Sequence, residues 1–512
     1  MSRNNIALVS FYDVNSIPVC SLHSSLKQAG FEPHTLYFKQ LNYNNTMTPA
    51  DPSEIDHLVE YICRLDPLFV GMSVRSTYFE LAAKVTRILK TRRRIPVVWG
   101  GVHTILRPEQ CLDYADIVCV GEGDHTIVEL ANRLESGESC SDLPNLWLRD
   151  GNGIRRNPPL PLIRDLDSLP FPDFTNINKL LFEKETVLPL PSSDTVLHYS
   201  ILTSRGCPYG CTYCCNNVLR HRLSYEGSFV RRRSINNVIS ELRLAREKFP
   251  KLNYIFFNDD VFTFDQEWVL QFCAEYRRSV ALPFFCYCHP KAAKESTLHA
   301  LKDAGVMQIT MGIQTGSERF RKEYYGRHDT NEDITRAAEL LAKYRINHAF
   351  DIILDNPLET EADHRETFEL LLRLPRPYDL HMHTLTHFPD TELTNRLLAG
   401  GHITPGDIED QKKESYERWT PMLDLRRPQN SLYWDCLYYL ASKKQIPLSI
   451  VRWAARNRLL KRFPVAMAHI LRWSSSNIFT VRRESRADEI RIGMVLAIRT
   501  ILAKPFSWIR KT

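Results

Sequence analysis

The stretch that decides the fold is SRGCPYGCTYCCNN, residues 204–217. It sets Cys207, Cys211 and Cys214 at C-x3-C-x2-C spacing on a loop that contains glycine and proline, just after an apolar run at 199–203. A cubic iron–sulfur cluster normally takes four thiolates, so three thiolates from one loop leave one iron open to another molecule. The spacing therefore predicts a [4Fe-4S] site with one open iron.

A structural zinc site is the main alternative interpretation of this loop. Such a site takes four ligands in closed tetrahedral geometry, and Cys215 and His221 are further donors within reach along the chain. Adjacent cysteines seldom both bind one ion, and zinc would leave the strand pattern around the loop unexplained. Inert buried cysteines at this spacing are a weaker interpretation still, so the cluster is favoured.

The bulk composition fits a large protein with reduced thiols. The 512 residues are 43% hydrophobic and 25% charged, which is typical of a globular chain of several domains. The 13 cysteines are an odd number and mostly stand singly in apolar runs, which favours thiols over disulfides. The sequence shows neither a signal-peptide layout nor an apolar run of the length that a membrane span needs. We therefore expect a cytoplasmic protein.

Strands and helices alternate around the cysteine loop, over residues 197–400. A helix begins at Ser234, and the runs typical of further strands are NYIFF, FFCYC, MQITMGI, HAFDIIL and LHMHTLT. Six strand–helix units predict a partial (β/α)6 TIM barrel, whose working face is formed by the carboxyl ends of the strands. The cysteine loop follows the first of these strands, so it lies on that face.

A second alternating pattern fills residues 1–140. The runs NIALVSF, HTLYF, LFVGMSV, IPVVWGG and DIVCVGEG are typical of strands, and helical stretches separate them. The pattern predicts an α/β domain with a doubly wound, Rossmann-like sheet, whose ligand site lies beyond the carboxyl ends of the strands. The candidate contacts are the loops at 10–18, 73–78, 100–104 and 121–124.

Two segments lack this alternation. Residues 141–196 are rich in Pro, Asp, Asn and Ser, which predicts a linker. Residues 401–512 are predicted to be helical and basic, because Val451 to Thr512 alone hold fourteen Lys and Arg against three acidic residues, a balance of +11. Apolar helical faces with Trp473 and Trp508 suit peripheral contact with an anionic membrane surface. Packing of these helices onto the barrel, with their charges in water, is the alternative that we favour.

The barrel segment resembles the radical S-adenosylmethionine (SAM) superfamily, whose C-x3-C-x2-C loop has an aromatic residue before its last cysteine, here Tyr213. The resemblance implies that SAM chelates the open iron and is cleaved by one electron to methionine and a 5′-deoxyadenosyl radical. It also implies SAM contacts after the second and fourth strands, at Asn258, Asp259, Asp260, Gln314, Thr315 and Ser317.

The end of the fifth strand, DIILDNPLET, departs from that superfamily's usual pattern. The loop there usually reads Gly-Leu-Pro-Gly-Glu-Thr, and here Asp355, Asn356 and Leu358 replace parts of it. The role of this loop beside the adenine of SAM is therefore left open.

The N-terminal segment resembles the cobalamin-binding domain that precedes the barrel in one large radical SAM branch. The resemblance runs from about residue 5 to 135, and the stretch that carries it is VVWGGVHTILRPEQCLDYADIVCVGEGDHTIVEL, residues 97–130. It implies cobalamin contacts, with Ser73 and Arg75 toward the cobalt and His103 toward the tail, at Ser73, Arg75, Gly100, Gly101, His103, Glu122 and Gly123. Glycines at 100 and 101 let the backbone approach a large ligand closely.

One motif of other cobalamin proteins does not occur in residues 1–150. Their domains carry an Asp-x-His-x-x-Gly motif whose histidine coordinates cobalt. If cobalamin binds here, we expect it to do so without that histidine.

The combined resemblance implies a radical SAM methyltransferase, dependent on cobalamin, that acts on an unactivated carbon of a small molecule. A radical cyclase or ring-rearranging enzyme is the alternative within the branch. A non-catalytic cobalamin- or redox-responsive binding protein is the alternative outside it, although polar residues at several strand ends favour an enzyme. The expected partners are a small-molecule substrate and an electron donor such as flavodoxin or ferredoxin, with no nucleic acid.

The residues that would act on the substrate have only a weak signal in the sequence. His381 and His383 lie two apart on the sixth strand, so they share one face of it, and they are the candidate catalytic residues. A hydrogen-bonded pair in the core is the alternative for these histidines.

Overall fold

The computed structural model describes residues 4–477, apart from 42–47, 152, 185, 191–192, 224–227, 419–427, 458–460 and 463. Two parallel sheets organise this part of the chain, one in the N-terminal third and one in the barrel segment. Helices cover both sheets, as the alternating sequence pattern predicts.

The N-terminal sheet has nine strands within the described residues, in the order β7-β6-β5-β4-β3-β1-β2-β8-β9. The strands are β1 (Asn5–Phe11), β2 (Glu32–Phe38), β3 (Val70–Ser73), β4 (Val97–Gly100), β5 (Ile117–Cys119), β6 (Leu146–Asp150), β7 (Gly153–Arg156), β8 (Lys179–Glu183) and β9 (Thr186–Pro189). The strands from β5 to β8 in this order are parallel, and β6, β7 and β9 add antiparallel edges. The chain order reverses at β1, where β2 pairs on one side and β3 on the other.

Helices lie on both faces of this sheet. They are α1 (Ile17–Gln28), α2 (Pro52–Leu65), α3 (Phe79–Arg92), α4 (Val102–Leu106), α5 (Pro108–Leu112) and α6 (Gly123–Ser136). One apolar core joins the sheet to α2, α3 and α5, and a second joins the opposite face to α1 and α6. The predicted doubly wound, Rossmann-like domain is confirmed.

The segment 141–196 is more than the linker that its composition predicts. It supplies β6 to β9, so it extends the N-terminal sheet at both edges before the chain enters the barrel. The edge strands β7 and β9 are short and largely exposed. Strands of this kind bury little apolar surface, so they leave no periodic signal in the sequence.

The second sheet is parallel throughout, in the order β10-β13-β14-β15-β16-β17. Its strands are β10 (His198–Ile201), β13 (Tyr254–Phe257), β14 (Phe284–Cys288), β15 (Val306–Gln314), β16 (Asn347–Leu354) and β17 (Asp379–Thr384), with the small ribbon β11 (Ser204–Arg205) and β12 (Arg231–Arg232) beside them. Chain order and spatial order agree, as in a (β/α)6 partial barrel, so the predicted architecture is confirmed.

The barrel helices are α7 (Cys215–Leu223), α8 (Ile235–Lys248), α9 (Gln266–Ser279), α10 (Glu295–Ala304), α11 (Glu318–Glu323), α12 (Asn331–Lys343), α13 (Glu361–Arg373) and α14 (Glu392–Ala399). Helices α8, α9, α10, α12 and α13 pack on the outer face of this sheet, whereas α11 and α14 share a separate apolar cluster with Ile353. Capping boxes begin α12 and α13, where Thr330 and Thr360 accept from the backbone of Asp333 and Asp363. The side chains of the opposite strand face are left to line the barrel interior.

The C-terminal region is helical where it is described, as predicted. Its helices are α15 (Pro405–Arg418), α16 (Gln429–Ser442), α17 (Leu448–Arg456) and α18 (Pro464–Asn477). Helix α16 is buried in the barrel core, and Tyr438 donates a hydrogen bond of 3.0 Å to the carbonyl of His364 in α13. The described helices of this region therefore pack onto the barrel, which is the alternative to membrane contact that we favour.

The side chain of Trp473 and all of Trp508 lie outside the described residues. None of the described helices combines the length and the apolar character that a membrane crossing requires.

Candidate active site

The cysteine loop lies at the carboxyl end of β10, as predicted, and is held by side chains from neighbouring segments. Cys211 is buried, whereas Cys207 and Cys214 are partly accessible. The guanidinium of Arg220 in α7 donates to the carbonyl oxygens of Cys207 and of Tyr209. The backbone of Thr212 donates to the carbonyl of Tyr325 at 3.2 Å. These contacts fix the loop from both sides.

The surroundings of the three thiols favour their protonated form. Burial raises the pKa of Cys207 to about 12, and the neighbouring Asp260 and the other two thiols add to this shift. Burial raises the pKa of Cys211 as well, with Arg327 acting in the opposite direction. Thiolates at this site would therefore need a bound metal to supply positive charge.

The spacing of the thiols bears on the choice between a cluster and a single ion. Four sulfur ligands at about 2.3 Å from one zinc ion lie roughly 3.8 Å apart. Among the described residues, Cys207, Cys211 and Cys214 do not form a group whose sulfur atoms all lie within 4.8 Å of one another. The described residues thus give no three-thiol group as tight as a single zinc ion requires, and the iron–sulfur cluster remains the prediction made from the spacing.

The three polar residues after β13 differ in their surroundings. Asp259 is fully buried and accepts hydrogen bonds from the backbone and hydroxyl of Thr203 and from the hydroxyl of Ser204. Its carboxylate thus ties the end of β13 to the end of β10. Asn258 and Asp260 are accessible. The protein around Asp260 still removes enough water to raise the pKa of that carboxyl group.

A buried polar network follows β15. Thr315 donates to Glu359 Oε1 at 2.8 Å, and Ser317 donates to Asp363 Oδ1 at 2.7 Å. Burial raises the pKa of Glu359 to about 8. Its other oxygen, Oε2, is buried and has no hydrogen-bond partner among the described residues. Thr315 and Ser317 therefore support the strand end, and Gln314 remains partly accessible at the barrel mouth.

A cavity of about 200 Å³ opens in the N-terminal domain between the sheet and helices α1 and α6. Its walls are mainly apolar and include Leu8, Leu22, Val98, Ile127 and Leu130. Five of the predicted cobalamin contacts line it, namely Ser73, Gly100, Gly101, Glu122 and Gly123. The cavity lies where loops leave the carboxyl ends of the parallel strands, which is the position expected for a ligand in such a sheet.

Two of the glycines that line this cavity, Gly100 and Gly101, differ in how strictly the backbone requires glycine. Gly101 has a φ of +110°, and a Cβ there would lie 2.8 Å from the carbonyl oxygen of Val74. At Gly100 the nearest atom to an added Cβ is the Cβ of Cys119 at 3.8 Å. The backbone therefore requires glycine at 101, whereas a Cβ at position 100 would make only an ordinary van der Waals contact.

Two predicted cobalamin contacts lie away from the cavity. His103 is fully buried, pairs with the hydroxyl of Ser76 at 2.9 Å and packs against Phe79 with ring centroids 4.8 Å apart. The short helix α4 turns its side chain toward α3, so its position does not support contact with a cobalamin tail. Arg75 is half-exposed and pairs with Asp13 at 3.1 Å, outside the cavity lining.

One arginine joins this cavity to the cysteine loop. Arg205 lines the cavity and precedes Cys207 by two residues. Its guanidinium donates to both oxygens of Asp124, at 2.8 and 3.0 Å, and to Glu122 at 3.1 Å. Arg231 pairs with Glu122 from the other side at 2.8 Å. The two domains are thus tied together by paired charges beside both sites.

Comparison with protein families identifies both halves of this arrangement. Residues 201–371 match the Radical SAM superfamily, and residues 4–131 match the B12 binding domain. This chain therefore combines a B12 binding domain with a Radical SAM domain, as the cobalamin-dependent radical SAM enzymes do. The cofactors of this family are a [4Fe-4S] cluster, SAM and cobalamin, and they are the cofactors predicted from the sequence.

Several known proteins resemble this radical SAM enzyme. An uncharacterized methyltransferase of Pyrococcus horikoshii is 24% identical over 68% of this chain and 73% of its own length. Cytidylyl-2-hydroxyethylphosphonate methyltransferase of Streptomyces wedmorensis is 25% identical over 58% of this chain and 61% of its own length. The structure of the radical SAM methyltransferase TsrM from Kitasatospora setae, with cobalamin and a [4Fe-4S] cluster bound, has a TM-score of 0.60 at 19% identity. It covers 78% of this chain and 75% of its own chain, and it supports the fold.

The predicted histidines of this radical SAM enzyme lie on the barrel interior beside a third residue that the sequence analysis missed. His381 Nδ1 lies 2.8 Å from Asp351 Oδ1, and His383 Nε2 lies 3.7 Å from the same oxygen. The hydrogen bond from His381 and the nearby imidazole of His383 hold the pKa of Asp351 at about 2, against the effect of burial. The hydrogen bond to Asp351 raises the pKa of His381.

The sequence contained signals for the missed residues. Asp351 is a charged residue in the otherwise apolar run HAFDIIL, which indicates a side chain on the interior face of the barrel. Arg205 stands within the cysteine motif itself, but its partners Glu122 and Asp124 are more than eighty residues away along the chain. No spacing rule connects residues so far apart, so that contact had to come from the fold.

Proposed function

We propose that this enzyme methylates an unactivated carbon of a small molecule. The observation that carries the proposal is the link through Arg205 between a mainly apolar cavity and a loop of three cysteines. The relatives from Pyrococcus horikoshii and Streptomyces wedmorensis, which are named as methyltransferases, support methyl transfer over ring closure.

The first part of the proposal concerns the cluster and SAM. Cys207, Cys211 and Cys214 would hold the [4Fe-4S] cluster, since three thiols on one loop at C-x3-C-x2-C spacing can ligate such a cluster and leave one iron open. Asn258, Asp260 and Gln314 are accessible at the barrel mouth and would contact SAM. Asp259, Thr315 and Ser317 would act through their neighbours, by fixing the ends of β13, β10 and β15.

The second part concerns cobalamin. The cavity would take the apolar tail of this cofactor, because its walls are mainly apolar and Gly100 and Gly101 bring the backbone into its lining. Arg205, Glu122 and Asp124 would close the end nearest the barrel by their ion pairs. When bound, cobalamin supplies a transferable methyl group and SAM supplies both that methyl group and a carbon-centred radical.

The chain's own residues would confine this chemistry. Tyr213 sits behind the cysteines with its ring edge against Tyr325, at a centroid distance of 5.0 Å. Arg327 donates to Asp329 at 3.1 Å and to the carbonyl of Gly312 at 2.7 Å. This packing would exclude water from the inner side of the loop, which protects a reactive radical from side reactions.

The remaining expectations concern partners and place in the cell. We propose that flavodoxin or ferredoxin delivers the electron, and that the enzyme works in the cytoplasm. Peripheral contact with anionic membranes would involve the basic residues after about 445. Vesicle co-sedimentation tests this, since such binding should require anionic lipid and weaken with added salt.

A labelling experiment tests the proposed function. The reconstituted, reduced enzyme is incubated with SAM that carries a trideuterated methyl group, and the extracted cobalamin and nucleosides are analysed by mass spectrometry. A methyltransferase should place the labelled methyl group on cobalamin and also form 5′-deoxyadenosine. Formation of 5′-deoxyadenosine without label on cobalamin would favour a cyclase, and the absence of both would favour a binding protein.

A further inference from the structure

A cluster of metal-ligating side chains lies on the interior face of the barrel, apart from the cysteine loop. In the parallel register of β16 and β17, Asp351 stands opposite His381 and Ile353 opposite His383. The alternate residues Phe350, Ile352, Leu380 and Met382 belong to the apolar core under the helices. Asp351, His381 and His383 therefore point to the other side, into the barrel.

The donor atoms of these side chains have the spacing of a chelating site. One ligand atom from each of the three residues lies within 4.8 Å of the others. The two measured separations from Asp351 Oδ1 are 2.8 Å to His381 Nδ1 and 3.7 Å to His383 Nε2. Ligands at about 2.0–2.1 Å from a tetrahedral ion lie roughly 3.3 Å apart, between these two values.

The surroundings of these three side chains differ from those of a histidine–aspartate pair in a packed core. The two histidine side chains are each 35% exposed, and that of Asp351 is 21% exposed. Within the described residues, the ion-pair partners of Asp351 are these two histidines, and no lysine or arginine pairs with it. On the other neighbouring strand, β15, the residue beside Asp351 is Gly312, and the side chain of Gln314 lies against this glycine.

The chemistry of the donor atoms also favours a cation at this position. A carboxylate and two imidazoles are ligands that divalent zinc accepts, and three protein ligands leave one position open. Sites with an open position bind a further oxygen or nitrogen, whereas structural zinc sites are closed.

We propose that Asp351, His381 and His383 bind a zinc ion inside the barrel. Its open position takes an oxygen of the substrate, such as a carboxylate, phosphonate or hydroxyl oxygen, and so orients the carbon to be methylated. The role in orienting the substrate rests on the proposed function, whereas zinc binding itself would hold for an enzyme of any reaction. The ion would act as a template and Lewis acid.

The experiment measures zinc on the full chain with its cluster and cobalamin in place. The enzyme is equilibrated with Zn²⁺ and passed through a desalting column, and its zinc content and zinc K-edge X-ray absorption are recorded. We expect one zinc ion per chain with imidazole nitrogen and carboxylate oxygen ligands. His381→Ala, His383→Ala and Asp351→Asn should each weaken zinc binding at least tenfold. His402→Ala, an exposed histidine beyond α14, should leave it unchanged.

The outcomes separate this proposal from the proposed function. Absence of bound zinc, sulfur ligands in the absorption spectrum, or equal binding by His381→Ala would each overturn the zinc site. Cluster absorbance, measured on every variant, shows that the barrel is folded and is independent of zinc. An enzyme that binds zinc here but places no label on cobalamin would refute methyl transfer and leave the zinc site standing.

Discussion

The N-terminal cavity and the barrel mouth use opposite means to prepare for a ligand. The cavity is mainly apolar and has Gly100 in its lining, and its charged groups, Arg205 with Glu122 and Asp124, are already paired at one end. The barrel mouth is polar, with three thiols, Asp260 and the partly unpaired Glu359 at neighbouring strand ends. The difference indicates that the cavity selects a ligand by shape, and the barrel selects by chemistry.

The largest expected effect is at the barrel mouth, in the loop of three cysteines. Replacing Cys207, Cys211 or Cys214 with alanine should abolish the brown iron–sulfur absorbance and all formation of 5′-deoxyadenosine, because each thiolate is a required ligand. Cobalamin retained through gel filtration should change little, since the cavity is built from the other domain.

Cys215 provides the matched control for those variants. It is the adjacent residue and begins α7, so Cys215→Ala should keep both the cluster and SAM cleavage. Loss of the cluster in Cys215→Ala would overturn the ligand assignment.

Filling the N-terminal cavity with a larger side chain tests whether the shape of this cavity selects its ligand. Gly100→Val adds a Cβ and two methyl groups at a position that lines the cavity, where a Cβ would lie 3.8 Å from the Cβ of Cys119. We expect the affinity for hydroxocobalamin to fall at least tenfold, with cluster content unchanged, as measured by titration and absorbance. Gly153→Val in the exposed strand β7 is the control and should bind cobalamin normally. Equal binding by both variants would place cobalamin elsewhere.

Cobalt coordination offers a second check on the same cavity. No Asp-x-His-x-x-Gly motif precedes the barrel, and His103 is buried against Phe79. Electron paramagnetic resonance of the Co(II) state should therefore lack splitting by an imidazole nitrogen. Such splitting would show that a histidine coordinates cobalt and would refute the account of this site.

Two adjacent acids sharpen the distinction between support and contact. Asp259→Ala removes a buried acceptor of three donors and should lower the free energy of unfolding by about 2–4 kcal/mol, measured by denaturant titration. Asp260→Ala should change stability by less than about 1 kcal/mol and instead weaken SAM binding. The reverse pattern would mean that the roles of the two residues are exchanged.

The smallest expected effect is a dependence of stability on pH through Glu359. Burial raises the pKa of Glu359 from 4.5 to about 8, so between these values the folded chain keeps a proton that the unfolded chain releases. Stability should therefore fall as the pH rises through this range. Glu359→Gln should remove on the order of 2 kcal/mol of that fall between pH 5.5 and 8. Parallel pH profiles of the two proteins in thermal unfolding would contradict this.

Much of the fold follows from local pattern in the sequence. NIALVSF matches β1, and FFCYC matches β14, because both runs are central strands with one or both faces buried. The edge strands β7 and β9, within residues 141–196, could not be predicted from apolar runs, because they are short and exposed. Their place is set by pairing with β6 and β8, which sequence periodicity does not report.

The site residues divide in a similar way. Cysteine spacing pointed to one loop because Cys207, Cys211 and Cys214 are close along the chain. Spacing along the chain could not show that Asp259 is buried and Asp260 is accessible. The alternation of side chains at the end of β13 decides which of the two carboxylates points into the core. Asp351 meets His381 only through the register of two strands thirty residues apart.

The most direct test of this account is the ratio of labelled methyl group on cobalamin to 5′-deoxyadenosine, measured in the wild type and in Gly100→Val. The account predicts that both products form in the wild type. In Gly100→Val the labelled methyl group should be lost at least tenfold while 5′-deoxyadenosine persists, because the cavity and the cysteine loop would serve different cofactors. If both products persist at wild-type levels, or if both disappear from a variant that keeps its cluster, the division of labour between the two regions is wrong.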